Sequence, residues 1–198
     1  MKTDGIIVTA NDNKITEALA MTEKLGKEAG LDSKSNLHLR LLAEELFGML
    51  RGIAGDVEAK YWLEAEGKSF KINLKSQISL SDEMREQFIA ASTSKKNAAT
   101  ASFMGKIRVM IANMIFSAEE TIPLAVMNTA AAYTAGSTYE GAAYVWTMTA
   151  YKKAVGDNLD ENRDAWDQLE KSIVANIADD IKVSIAGKTV EITVFKAF

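Results

Sequence analysis

The sequence predicts an α+β domain, a two-layer sandwich in which helices cover one face of a mixed or antiparallel sheet of four to five strands. Three observations predict it. Strand-like runs lie near both ends of the chain, apolar residues recur at helical spacing between them, and 198 residues are enough for one domain. No repeat of fixed period appears, so residues 1–198 are interpreted as a single domain.

The first third of the chain predicts one strand and two helices. The β-branched run "GIIVTA" indicates a first or edge strand. A helix over about residues 13–30 follows, with Asn11 or Asn13 as its cap and Gly30 at its end. A second helix begins near Ser33 or Ser35 and is expected to end at the glycines of residues 52–55. Its predicted apolar side comprises Leu37, Leu41, Leu42, Leu46, Leu50 and Ile53.

Two β-hairpins are predicted, one in the first half of the chain and one at its end. Between residues 58 and 78, apolar and polar residues alternate on each side of "EGK", which is typical of two strands with one buried face. The last twenty residues repeat this pattern around "AGK". Between the hairpins, residues 81–92 predict a short helix, residues 93–102 a polar loop and residues 103–116 an apolar helix.

A change of composition marks the segment from about residue 117 to 175, which is rich in Ala, Tyr, Met and Thr. We interpret it as a helical insertion, with two helices broken near Gly136 and Ser137 and a third helix after residue 158. The inward side of the third helix is predicted to hold Trp166, Leu169, Ile173 and Ile177. The aromatic and methionine residues of the segment indicate either packing onto the main domain or a surface for self-association or a partner.

The order of these elements, with "LLAEELFG", "TSKK", "SFMGKI" and "AGKTVEITVFK", resembles the ATP-binding fold shared by gyrase, heat-shock-90, histidine-kinase and mismatch-repair proteins. It is most similar to the bacterial anti-sigma-factor serine kinases, over about residues 5–116 and 178–198. In that family, a helix carries a glutamate and, four residues later, an asparagine that holds Mg²⁺. The resemblance puts Glu44 at the acid and Gly48 at the asparagine, and glycine has no side chain to offer a metal.

The remaining nucleotide-binding motifs of the family match only in part. Ser76 stands where the family has the aspartate that reads adenine, and no glycine follows it. Gly105 matches the second glycine of the phosphate loop, Phe103 replaces the first, and Thr189 matches the last hairpin. The resemblance also implies a flexible lid and, after it, a helix whose N-terminus holds phosphate. Lysines of the lid and at the start of that helix would bind phosphate as point charges. These candidate phosphate-binding lysines are Lys95, Lys96 and Lys106.

Each candidate residue also has a purely structural interpretation. Glu44 fits an acid at the edge of a helix, solvated or paired with Arg40 or Arg51, and Glu45 fits a surface position. Gly48 fits close packing of helix on sheet, because glycine in a helix costs about 1 kcal/mol relative to alanine and needs a compensating contact. The lysines fit a solvated loop, and the single histidine, His38, fits a helix flank.

These patterns favour a regulatory domain that binds a protein, such as a sigma factor or another regulatory protein, or a second copy of itself. We expect weak or absent ATP binding and no cofactor; the alternative is an active serine protein kinase with ATP and a rewired Mg²⁺ site. A net charge of -4 argues against nucleic acid, and no apolar run is long enough to span a membrane. The absence of cysteine and of a signal peptide favours the cytoplasm.

Overall fold

The computed structural model describes residues 1–9, 13–54, 58–78, 137–140, 143–160 and 162–198, and positions 103–105, 107, 110, 111 and 115 of one helix. For residues 50–54 and 137–140 it describes the backbone alone. The helix and loop predicted over residues 81–102, and the first of the two helices predicted beside Gly136, lie outside the described residues.

Twelve strands and helices are delimited within the described residues. In chain order they are β1 (Ile6–Val8), α1 (Lys14–Glu28), α2 (Ser33–Ala54), β2 (Ala59–Glu66), β3 (Ser69–Gln77), β4 (Ser137–Glu140), β5 (Ala143–Thr147), α3 (Met148–Asp157), α4 (Arg163–Lys171), α5 (Ile173–Ile177), β6 (Asp180–Ala186) and β7 (Thr189–Ala197). The predicted α+β class is therefore confirmed.

The strands within the described residues form a single sheet in the order β1-β2-β3-β7-β6-β5-β4, and every neighbouring pair is antiparallel. The two predicted hairpins, β2–β3 and β6–β7, meet at the centre, where β3 pairs with β7 over nine residues. The predicted strand β1 lies at one edge. The sheet has seven strands, more than the predicted four to five, because β4 and β5 extend it beyond β6.

One hydrophobic core lies between the helices and one face of the sheet. Along β2, buried Tyr61 and Leu63 alternate with the more exposed Lys60, Trp62 and Glu64. The other central strands alternate in the same way, except that Asn73 of β3 is also buried. The buried residues of these strands join residues of all five helices in one cluster. The polar face of the sheet therefore points away from the helices, as expected for an antiparallel sheet covered on one side.

The hairpin turns need glycine for a conformational reason. Gly67 and Gly187 both adopt φ of +57°, a left-handed conformation that side chains disfavour. They stand in the "EGK" and "AGK" turns, where the sequence predicted that the strands reverse.

The second helix differs from the prediction in its N-terminal cap and in which of its residues face the core. Asp32 Oδ1 accepts a hydrogen bond from Ser35 N at 2.8 Å, so Asp32 supplies the N-terminal contact predicted for Ser33 or Ser35. The helix continues through Gly52 to Ala54. Leu37 is 54 % exposed and Leu41 is half-buried, because the stripe that faces the core is rotated away from them. The buried stripe comprises Leu39, Leu42, Ala43, Leu46, Phe47 and Met49.

The segment interpreted as a helical insertion contains strands as well as helices. Residues 137–140 and 143–147, where we predicted helices around a break, form the paired strands β4 and β5, and β5 pairs with β6. Trp146 is buried and packs on Tyr151 and Phe103, with ring centroids 5.7 and 6.4 Å away. Met148 is also buried. Trp146, Met148 and Tyr151 therefore pack onto the main domain, one of the two interpretations of this segment.

The third predicted helix of that segment is two helices. Ser172 has an extended backbone, with φ of -81° and ψ of 119°, so α4 ends before it and α5 begins after it. The Ser172 hydroxyl accepts a hydrogen bond from Ala175 N at 3.2 Å and caps α5. This break shifts the helical phase, so Val174 is buried and Ile173, predicted to face inward, is 57 % exposed.

Candidate functional site

Glu44, the candidate catalytic acid, lies on the side of α2 that faces away from the sheet. Its carboxylate accepts a hydrogen bond from Arg40 Nε at 2.8 Å, one helical turn earlier. Arg40 Nη1 also donates to Glu23 on α1. These hydrogen bonds lower the pKa of the Glu23 carboxyl and raise the pKa of Arg40. The predicted pairing of Glu44 with Arg40 is present within α2, and the second bond of Arg40, to Glu23, joins α2 to α1.

Gly48 lies one turn beyond Glu44 and is exposed. A Cβ atom added to Gly48 would have no heavy atom within 4 Å. Close packing of helix on sheet, the interpretation that we favoured for this glycine, is therefore wrong. A longer side chain at this position would extend into open space.

Ser76 and Thr189, expected to contact a nucleotide, lie close together at one end of the central strands. Ser76 is buried on the helix-facing side of β3, and its hydroxyl donates a hydrogen bond to Glu58 O at 2.7 Å. Both residues line one open groove of about 420 Å³, together with Lys60 and Lys75. The lining of that groove, as far as the structure describes it, includes no residue of α2, so Glu44 and Gly48 stand apart from it.

The phosphate-loop candidates are described only in part. Gly105 is buried in the helix that holds Phe103 and Met104. Lys95 and Lys106, and Lys96 with them, lie outside the described residues. The structure therefore brings two of the predicted site residues together, Ser76 with Thr189, and places Glu44 and Gly48 elsewhere.

A second cavity, of about 310 Å³, is lined by residues of α2, α4 and α5 and by Phe103 and Met104. The polar residues that line it are Glu45, Gln168, Lys171 and Ser172. The apolar residues that line it are Phe103, Met104, Ile173 and Val174. Glu45, which we expected on the surface, is half-buried here. The cavity is open to solvent and has a mixed polar and apolar lining.

Sequence reasoning missed this cavity because its lining comes from three separate parts of the chain. Gln168 and Lys171 belong to α4, Glu45 belongs to α2, and no local pattern relates them. The sequence did offer one signal for the helix break beside the cavity. Serine is a preferred residue at helix N-termini, and Ser172 caps α5.

No family model, characterised protein or solved structure matches the chain. Within the described ranges, no three His, Cys, Asp or Glu side chains lie together in a group that could hold a metal ion. In the same part of the chain, no helix is long and apolar enough to cross a membrane.

Proposed function

We propose that this chain is a regulatory domain that acts by binding another protein, and that it derives from an anti-sigma-kinase-like ATP-binding fold whose nucleotide-binding motifs have degenerated. ATP binding is weak or absent, and the protein works in the cytoplasm.

The proposal is carried by what α2 presents at two positions, the paired carboxylate of Glu44 and the missing side chain at Gly48. In the resembled family, an asparagine at the second position offers an oxygen to Mg²⁺, and here that position is an exposed glycine. The acid one turn earlier, Glu44, is held within α2 by Arg40, which also bonds Glu23 of α1. Both features suit a helix that serves the fold and a binding surface rather than a metal.

The environment of Ser76 supports the same proposal. A residue that reads adenine must direct a hydrogen-bonding group at the base. The Ser76 hydroxyl donates its single hydrogen to Glu58 O, a backbone oxygen at the start of the β2–β3 hairpin. Its donor is therefore used within the fold, and adenine would have to displace that hydrogen bond.

The outward side of α2 is the surface that we assign to the partner. Leu37 is 54 % exposed, Leu41 is half-buried beside it, and Gly48 lies further along the same side. Apolar side chains next to a glycine allow another chain to approach the helix closely. The partner is a regulatory protein, such as a sigma factor, or a second copy of this chain.

Thermal unfolding with nucleotide tests the loss of ATP binding. We expect the same Tm with and without millimolar ATP and Mg²⁺, because a ligand that binds only the folded state must raise it. Glu44→Ala should leave this result unchanged. A rise in Tm that requires both ATP and Mg²⁺ and disappears in Glu44→Ala would instead support the serine kinase.

Leu37→Glu tests the assigned surface, because it places a charge on α2 without altering the core. Sedimentation velocity of the unchanged protein and of Leu37→Glu shows whether the surface joins two copies. If the unchanged protein is a dimer, the variant should be a monomer. If both are monomers, the partner is a different protein, and affinity purification should recover it with the unchanged chain and lose it with Leu37→Glu. Identical recovery with both would contradict the surface assignment.

A further inference from the structure

The outward side of α2 carries its side chains in one stripe. Lys34, Leu37, Leu41, Glu45 and Gly48 recur every three or four residues, so they lie along the same side of the helix. Lys34 and Gly48 are exposed, Leu37 is 54 % exposed, and Leu41 and Glu45 are half-buried. The stripe therefore begins with a cation, continues with two leucines and an anion, and ends with a glycine.

The two charges of the stripe are available to another chain. In the described part of the protein, neither the Lys34 nor the Glu45 side chain takes part in an ion pair. Glu44, the neighbouring acid, differs because Arg40 already donates to its carboxylate at 2.8 Å. Lys34 and Glu45 stand about three helical turns apart, so they cannot pair with each other.

The stripe is complementary to itself when its direction is reversed. The midpoint between Lys34 and Glu45 and the midpoint between Leu37 and Leu41 both fall at residues 39–40. A two-fold axis across α2 at that point places each lysine beside the glutamate of the other copy and each leucine beside a leucine. A parallel arrangement would instead bring like charges together at both ends.

Apolar surface and open space beside the stripe favour a close contact. Ile173 of α5 is 57 % exposed and lines the same open cavity as Glu45. A Cβ atom at Gly48 would meet nothing within 4 Å, so the start of a second α2 has room to approach there. Burial of Leu37 and Leu41 supplies the attraction, and the charges set the direction of the contact.

We propose that two copies of this chain associate through an antiparallel contact between their α2 helices. Lys34 of each copy lies against Glu45 of the other, and Leu37 lies against Leu41. The contact uses the surface assigned to the partner, so it rests on the proposed function and names that partner as a second copy.

Charge-reversed variants test the contact by sedimentation velocity. We expect the unchanged chain to be a dimer at micromolar concentration. Lys34→Glu and Glu45→Lys each turn two attractive pairs into two repulsive ones, so each variant alone should dimerise at least about tenfold more weakly. An equimolar mixture of the two variants should regain the dimer, because opposite charges then face each other at both ends. A chain that carries both substitutions should regain it for the same reason.

Matched controls carry the same charge reversals outside the stripe. Glu66→Lys and Lys153→Glu, at exposed positions on β2 and α3, should dimerise as the unchanged chain does, alone and mixed. Lys34→Glu should keep its fold, because it places a negative charge in the first turn of α2, where the helix dipole favours one. Far-UV circular dichroism checks the fold of every variant.

Four results would overturn the proposal, and they bear differently on the proposed function. If the unchanged chain is a monomer, the partner is not a second copy, and capture of a different protein still decides the proposed function. If Leu37→Glu disrupts a dimer that neither charge reversal weakens, the surface is correct and the antiparallel contact is wrong. If the mixed variants stay monomeric, the two charges do not face each other. If none of the three substitutions weakens a dimer, the surface assignment also fails.

Discussion

Thr22 Oγ1 and Tyr61 OH lie 2.7 Å apart in the core, and neither side chain is exposed at all. Thr22 Oγ1 also donates to Ala18 O at 2.8 Å, so its hydrogen is used and the Tyr61 hydroxyl is the donor between the two. The Tyr61 ring packs on Phe47 of α2, with centroids 4.8 Å apart. One hydrogen bond and one ring contact therefore hold α1, α2 and β2 together.

A double-mutant cycle at this pair should show coupling. Tyr61→Phe removes a donor but leaves Thr22 bonded to Ala18 O, so we expect a loss of about 1 kcal/mol. Thr22→Val leaves the Tyr61 hydroxyl buried without a partner and should cost about 1–3 kcal/mol. The double variant should lose less than the two single losses added together. Urea unfolding at neutral pH measures all four proteins, and simple additivity would contradict the hydrogen bond.

Alkaline pH should destabilise the protein through the same tyrosine. Burial raises the pKa of Tyr61 well above its ordinary value of 10.0. Above that ordinary value the unfolded chain ionises while the folded chain keeps its proton. The stabilisation is therefore complete below about pH 10 and is lost as the pH rises further. Urea unfolding between pH 9 and 11 should show this decline, and Tyr61→Phe should flatten it.

Acidic pH should destabilise the protein through the helix–helix ion pair. The hydrogen bond from Arg40 holds the pKa of Glu23 below its ordinary value of 4.5. The contribution of Glu23 to stability is therefore present above that value and is lost as the pH falls through the lowered folded pKa. Glu23→Gln should be less sensitive to acid than the unchanged chain. Glu17→Gln, an exposed position on the same helix, serves as the control; equal acid sensitivity of both variants would contradict the assignment.

Local sequence signals predicted the two central hairpins because each is specified within about twenty residues. Alternating apolar residues choose the buried face, and Gly67 and Gly187 permit the turns. The pairing of β3 with β7 joins segments more than a hundred residues apart. Strand-like runs near both ends of the chain predicted one sheet, but no local pattern specifies which strands pair across such a distance.

The predictions for β5, for Ile173 and for the cavity residues failed because contacts or backbone geometry outside the local pattern decide them. Residues 143–147 combine alanine, valine and aromatic residues that both helices and strands accept, and the pairing of β5 with β6 decides between them. Ile173 continues the apolar spacing of α4, but the extended backbone at Ser172 rotates the next turn. The cavity residues Glu45, Gln168 and Lys171 meet only through packing of separate helices, so their association could not be predicted from spacing.

Two helical glycines should respond to alanine in opposite ways. In Gly26→Ala, the new Cβ would collide with Asn36 Oδ1 where α1 and α2 meet, so we expect a loss of about 1–3 kcal/mol. In Gly48→Ala, the new Cβ would meet nothing within 4 Å on an exposed helix position, so we expect a gain of about 0.5–1 kcal/mol. Urea unfolding of the two variants provides the comparison, each serving as the control for the other.

A second substitution separates the collision at Gly26 from a general cost of changing α1. Asn36 Nδ2 donates to Glu23 O at 3.2 Å, while its buried Oδ1 has no partner. Asn36→Ala removes the atom that the new Cβ would strike, so Gly26→Ala should cost much less in that background, and alanine's higher helix propensity should begin to show. An equal loss in both backgrounds would mean that Gly26 is required for something other than the close approach of Asn36.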